Sequence, residues 1–331
     1  MLRILHGTRY DFIKYWRHAA VTTIAFIVVG LSVLVVKHPR FSIEFTGGTT
    51  IQIQFDKAPD VAAVRSAAAD AGYPEAVVTR FGSPLDYTIS AQPHSSANGP
   101  SRIDSTRVQI EAMLHRRFGD TTHVRVLDSQ FVGSTVGDEL ASNAIKAILI
   151  SFIVTLIYLW IRFEWRFGLA ATCATMHDIL TTLAFISIMR LEVSLTVVAA
   201  ILTVIGYSLN DTIIIFDRVR ENLKKQRKES LRDVLNRSIN ETLPRSILTH
   251  ATAFAATLAL LIFAGAIIRP FAWVMAFGIF TGTFSSVYVA GAILLWIEAK
   301  WPRQLSTDRR PASRQGAAGK SSAPRVREAG D

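Results

Sequence analysis

An amide and a carboxylate, Asn210 and Asp211, stand inside an apolar run, GYSLNDTIIIF at 206–216. A charged side chain near the centre of a hydrocarbon layer costs at least ~2.5 kcal/mol, so an Asp in such a run is a functional-site hypothesis that needs a partner. Asp211 lies five residues before Phe216, about 8 Å inside the end of the run at helical rise. Arg245 opens the next apolar run. A chain that leaves a bilayer on one side and re-enters from that side brings both residues to a similar depth, and a long arginine side chain can reach inward. Helical spacing puts Arg245, Thr249 and Thr252 on one face and Tyr207, Ser208 and Asp211 on one face of the preceding helix. Facing one another, these groups form a charge pair that protonation can switch: protonating Asp211 weakens its attraction to Arg245 and lets the spans repack. The plainer alternative is a flanking surface charge at Arg245 and an interfacial helix-end contact at Asp211.

A second carboxylate, Asp178, follows His177 in the middle of another apolar run, about 16 Å from either end. Imidazole titrates near neutrality, so the pair either moves protons or Asp178 hydrogen-bonds a neighbouring helix as structural glue. Other chemistry is thin. The single cysteine, Cys173, excludes an internal disulfide and a CxxC site. His94, His115 and His123 are scattered over turn and helix-surface positions. With no nucleophile beside a base, no metal-ligand cluster and no phosphate loop, neither enzymatic activity nor a cofactor or metal is expected.

The elements that hold these residues are membrane helices. Half of the 331 residues are hydrophobic and the mean hydropathy is +0.30, which is too apolar for ordinary soluble domains. Runs at 19–36, 141–161, 167–189, 193–216, 246–268 and 271–297 are each long enough to cross a hydrocarbon core, which takes about 20 helical residues. The first follows a basic start (Arg3, Arg9, Lys14, Arg17) but has no small-residue cleavage site after it, and reads as an uncleaved anchor. Lys and Arg concentrate at the start, at Arg162 and Arg166, from Arg218 to Arg245, and from Lys300 onward, whereas the opposite short connections carry Arg190 and Arg269. By the positive-inside rule both termini are cytoplasmic. The net charge of +10 accompanies no nucleic-acid-binding motif and fits a membrane surface better.

Residues 37–140 then form one domain on the far side. Strand patterns at 50–55, 76–81, 87–92 and 123–127 alternate with helical patterns at 60–71, capped by Asp60, and 105–118. The order β-α-β-β-α-β suggests a small α+β ferredoxin-like unit between spans one and two. Residues 92–101 read as a mobile loop. Two glycine-bearing segments bracket the domain, FSIEFTGGT at 41–49 and SQFVGSTVGDEL at 129–140. Gly47 and Gly48 serve either as a hinge or as an ordinary turn.

The motifs FTGGT, VGSTVGDEL, His177-Asp178, GYSLNDTIIIFDRVREN and TLPRSILTHAT in this order resemble those of the SecF branch of the SecD/SecF family, six-span membrane subunits of the bacterial Sec protein-export machinery. The resemblance covers roughly residues 10–300. It implies a SecD partner, a pseudo-symmetric twelve-span assembly related to resistance-nodulation-division (RND) exporters, and association with SecYEG, with YajC and YidC as further partners. It also implies use of the proton motive force to move unfolded preprotein across the inner membrane after the SecA step. Asp211 and Arg245 match the family's proposed relay positions, with Asn210 and Thr249 as supporting polar groups. Two departures fall in or beside the fifth span: His250-Ala251 where the family has small residues, and FAG at 263–265 for FGG.

A half-size proton-coupled exporter of lipids or drugs shares the fold and the carboxylate, but a far-side domain of this size is small for that role. An assembly factor that moves no protons needs no titrating Asp. Gly278, Gly282 and Ser286 form a small-residue ridge for a partner helix or for packing within the chain. Residues 217–244 read as a pair of short helices along the membrane surface or as a solvated connector. The tail from about residue 304 has a disordered composition.

Overall fold

In a computed structural model, residues 8–80, 83–92, 101–119, 123–225, 229–265 and 267–302 are described. The basic start at Arg3, most of the loop at 92–101, and the tail lie outside them. Among the described residues six helices are long and apolar enough to cross a membrane. They run Trp16–Lys37, Ser134–Arg162, Trp165–Ile188, Leu195–Lys225, Leu231–Phe263, and Arg269–Phe284 continued by Ala290–Lys300. The last is interrupted by a π-helical turn, Ser285–Val289.

The third, fourth and sixth spans form the packed centre, while the first and second bury few of their residues. Phe185 of the third span stacks on Phe277 of the sixth at 4.0 Å, and Phe26 of the first joins them at 5.6 Å. Gly30 of the first span lies against Ala184 so closely that any Cβ would overlap it. Two apolar clusters divide the bundle lengthwise. Ile186, Val197, Val204 and Ile279 fill the end nearest the domain, and Leu159, Phe167, Phe216, Leu235 and Leu294 fill the end that carries the termini.

The small-residue ridge on the sixth span is used internally. A Cβ on Gly278 would overlap Val204, and one on Gly282 would meet Ser208 at 3.0 Å. The fourth span occupies the groove, leaving no room there for a partner helix.

Residues 217–244 are neither surface helices nor a loose connector in their described parts; they continue the fourth and fifth spans as an antiparallel pair. Nothing at 216–217 breaks the helix, and charge ends a membrane span without ending a helix. The DRVREN stretch holds this end together. Asp217 pairs with Arg162 at 2.6 Å, Arg218 with Glu221 at 2.6 Å and Glu241 at 2.5 Å, and Asn222 donates to Ser238 at 3.0 Å. Most of these groups are solvated, so water and salt screen the ion pairs and each adds little to stability.

The inserted domain has strands β1 (Gly48–Phe55), β2 (Val77–Arg80), β3 (Asp86–Ala91) and β4 (Val124–Val132). They form an antiparallel sheet in the order β2-β3-β1-β4. Helices Val61–Asp70 and Ser101–Phe118 complete the ferredoxin-like pattern. Asp60 caps the first helix by accepting from Ala62 N. Alternation sends Ile51, Ile53, Tyr87 and Ile89 to the helices. Thr50, Gln52, Thr88 and Ser90 line a cavity of about 160 Å³ shared with Glu44, Glu192 and Ser194 at the rim of the bundle.

Two junctions fix the domain to the bundle. In the first, Gly47 (φ +72°, ψ 162°) adopts a conformation that is essentially glycine-only. A Cβ there would lie 2.9 Å from Ser134 Cα at the start of the second span. Gly137 closes the contact from the other side, where a Cβ would meet Gly47 N at 2.9 Å. The two glycine segments thus form one packed joint. Gly47→Ala should destabilise it by about 1–3 kcal/mol from backbone strain alone, read as a lower unfolding temperature of the purified protein in detergent. Gly133→Ala, where φ is −67° and the space is open, is the near-neutral control. Equal stability of the two variants would overturn this account of the joint.

In the second junction, Arg40–Phe41 pairs in parallel with Glu192–Val193, Arg190 donates to the carbonyls of Lys37 and His38, and Glu44 accepts from Leu195 N at 2.6 Å. The Glu192 carboxyl is pushed above its ordinary value by burial first and the like charge of Glu44 second, with Arg40 opposing. A raised value in the folded state means that the junction binds more protons than the open chain. Its contribution is therefore full at acid pH and is lost as pH rises through the raised value. Amide exchange in this strand pair, corrected for intrinsic rates, should accelerate as pH rises, and Glu192→Gln should flatten the dependence. An unchanged slope in that variant would assign the effect elsewhere.

Candidate functional site

Between the two apolar clusters lies a layer of buried polar residues contributed by the third, fourth, fifth and sixth spans: Asp178, Ser208, Asp211, Thr212, Ser246, His250, Ser285 and Ser286. It contains two carboxylates in different settings.

Asp178 is 1% exposed. Its Oδ2 accepts from the hydroxyls of Ser208 on the fourth span and Ser285 on the sixth, the latter at 2.7 Å. Its Oδ1 meets His177 Nδ1 at 3.0 Å. The π-helical turn begins at Ser285, and such turns are frequent where a helix must re-aim a functional side chain. Beside it, Thr212 and Ser286 join the fourth and sixth spans at 3.1 Å. The Asp178 carboxylate thus ties three spans together with both oxygens occupied.

Asp211 is 3% exposed. Ser246 of the fifth span donates to Oδ1, whereas Oδ2 is buried with no hydrogen-bond partner among the described residues. His250, one turn beyond Ser246, is also buried. Its Nδ1 lies 2.5 Å from the Ser246 carbonyl, and its Nε2 has no partner among the described residues. The Tyr207 ring meets the His250 ring edge to face at 5.2 Å, and the Tyr207 hydroxyl donates to the Thr249 carbonyl at 2.9 Å.

The expected direct pairing of Asp211 with Arg245 is not formed. Among the described residues no ion pair joins them, and the Arg245 side chain is exposed; Arg245 acts on Asp211 through space, as does His250. Helix phase is the reason. The buried stripe of the fifth helix is Val234, Ser238, Thr242, Ser246 and His250, at four-residue intervals. Arg245 and Thr249 flank that stripe, and both are exposed. Asn210 is exposed as well. Ser208, grouped above with Tyr207 and Asp211, turns instead to Asp178. The fourth and fifth helices meet through Ser246, and the stripe that carries Arg245 lies about 100° away from the facing one. The repeat of small polar residues at 238, 242 and 246 is the signal that marks the facing stripe.

Comparison with known proteins agrees with this architecture. The family model "Protein export membrane protein SecD/SecF, C-terminal" matches residues 112–300, and the "SecD/SecF GG Motif" matches residues 32–59, which include Gly47 and Gly48. A Protein translocase subunit SecF of Gemmatimonas aurantiaca is 58% identical over 92% of this chain and 91% of its own length. The namesake of Vibrio alginolyticus is 39% identical over 89% and 92%. The crystal structure of SecDF from Thermus thermophilus, described as a translocon-associated membrane protein, matches at a TM-score of 0.79 and 33% identity over 90% of this chain. The chain spans 40% of the length of that SecDF protein. A SecDF structure in a super-membrane-facing form matches at 0.66. On this evidence the chain belongs to the SecF branch of the SecD/SecF family of protein-export membrane proteins.

Proposed function

We propose that this chain is the inner-membrane subunit that, with a SecD partner, couples inward proton flow to the late movement of unfolded preprotein through SecYEG. Asp211 carries the coupling. It is a buried carboxylate that bridges the fourth and fifth spans through one oxygen and keeps the other without a donor. Ionised, it attracts the nearby positive charge of Arg245 and accepts from Ser246; protonated, it loses the charge that holds the two spans in this arrangement. Each protonation cycle therefore biases two packings of the bundle. The domain, joined to the spans at the Gly47 joint and the strand pair at Arg40–Phe41 and Glu192–Val193, moves with them while it holds emerging polypeptide. Gly47 and Gly48 act in this reading as the pivot.

The concentration of Lys and Arg in the connections on the terminus side supports cytoplasmic termini and a periplasmic domain. The sparsely buried first and second spans supply the surface for SecD, and lipid covers the rest. YajC and YidC are assigned as further neighbours on family grounds. The match to a SecDF protein, of which the chain spans 40%, supports a SecD partner. A half-size exporter of small molecules is not favoured, since the relatives named above are translocase subunits. Gentle extraction of the tagged chain from its native membrane, followed by identification of co-purified proteins, tests the assembly. SecD and SecYEG components are expected. A stable complex without either would overturn the reading.

A further inference from the structure

The fifth span places a second titratable group beside Asp211 that the coupling scheme leaves idle. A carbonyl oxygen can only accept a hydrogen bond, so the 2.5 Å contact with the Ser246 carbonyl fixes the proton of neutral His250 on Nδ1. The exchangeable lone pair is then on Nε2, which is buried and unpartnered among the described residues, as is Asp211 Oδ2. Two orphaned buried polar atoms of complementary kind, a base and a carboxylate oxygen, are unusual in a packed interior. Ser246 links their residues, since its hydroxyl donates to Asp211 and its carbonyl holds His250.

Depth gives the arrangement a direction. The fourth span runs from the domain end toward the terminus end, and Tyr207 precedes Asp211 by one turn; the fifth runs back, and His250 follows Ser246 by one turn. The Tyr207–His250 layer therefore lies on the domain side of the Asp211–Ser246 layer. Other groups near it are few. The fourth span contributes Tyr207 and Asp211, and the fifth contributes Arg245, exposed one turn nearer the terminus end. The packed segment of the sixth span, Arg269–Phe284, carries Arg269 as its sole charge, at its domain end.

We infer that His250 is the proton donor to Asp211, receiving each proton from the domain side at Nε2 and passing it to Asp211 Oδ2 while Nδ1–H stays bonded to the Ser246 carbonyl. One proton enters Nε2 and the same proton leaves it, so the imidazole returns to its neutral tautomer after each transfer. Tyr207 packs edge to face against the ring.

The inference rests on the proton-coupling reading of Asp211, and its test separates the two. The chain is co-reconstituted with its SecD partner in vesicles, and proton entry is followed with a trapped pH-sensitive dye as the pH on the domain side is varied. His250→Asn keeps an amide donor for the Ser246 carbonyl but cannot carry a proton; it should lower proton entry by about tenfold or more and remove the part of the pH dependence that a relaying imidazole contributes. His250→Ala, which lacks the donor too, should match it in rate and show in addition a lower unfolding temperature. Wild-type rate and pH profile in His250→Asn, with Asp211→Asn inactive, would overturn the role of His250 alone. Undiminished proton entry in Asp211→Asn would instead overturn the coupling reading on which it stands.

Discussion

Asp211→Asn should abolish the chain's contribution to export while leaving the complex assembled. The substitution is nearly isosteric. An asparagine oxygen can accept the Ser246 hydroxyl in place of Asp211 Oδ1, so the fourth and fifth spans keep their hydrogen bond. What disappears is the titrating charge, together with its attraction to Arg245 and His250. In cells depleted of the native subunit, export of a secreted reporter should fall at least about tenfold, to the depleted level, since a positioned proton-transfer group contributes roughly 10²–10⁴-fold to a step that depends on it. Arg245→Met should give the same direction with a smaller loss, because Arg245 is exposed and acts without a direct ion pair. Assembly, measured by co-purification with the partner chain, should be normal for both. Normal export by a normally assembled Asp211→Asn complex would remove Asp211 from the coupling step.

The membrane spans are legible in the sequence because hydropathy registers the transfer of whole segments into lipid, and the ferredoxin-like domain because strand alternation and helical period are both clean there. Helix ends are less legible for a physical reason. The charged residues after Phe216 end the apolar run but favour helix, so the fourth helix continues to Lys225. Azimuth is the least legible quantity. Side chains one residue apart differ by about 100° around a helix, and a conspicuous arginine at 245 draws attention from the small serine at 246 that makes the contact. Serine hydroxyls carry little pattern of their own, so Ser208 and Ser285, which close on Asp178 from two other helices, could not be found from spacing. The Gly278–Gly282 ridge was legible as a site of close approach, and the chain's own fourth span fills it. Which helix fills such a ridge is a property of the tertiary arrangement.

Asp178 should behave as the opposite of Asp211. Its Oδ2 accepts two serine hydroxyls and its Oδ1 faces His177, so each oxygen already has a partner within the bundle. Asp178→Ala leaves the Ser208 and Ser285 hydroxyls buried without their acceptor, at about 1–3 kcal/mol each, and opens a void where three spans meet. Accumulation of the subunit and its co-purification with the partner should be largely lost. Asp178→Asn separates structure from proton transfer. With its amide oxygen toward the two serines and its NH₂ toward His177, which then presents an unprotonated Nδ1, every contact is retained while the ionisable group is gone. That variant should assemble normally and keep export within about twofold of the parent, an energy change of about 0.4 kcal/mol at most. A tenfold loss of export in an assembled Asp178→Asn complex would overturn this and place Asp178 on the proton path. The contrast rests on one structural difference: a buried carboxylate with both oxygens occupied serves as a rivet, and one with an oxygen left free has room for a proton to arrive.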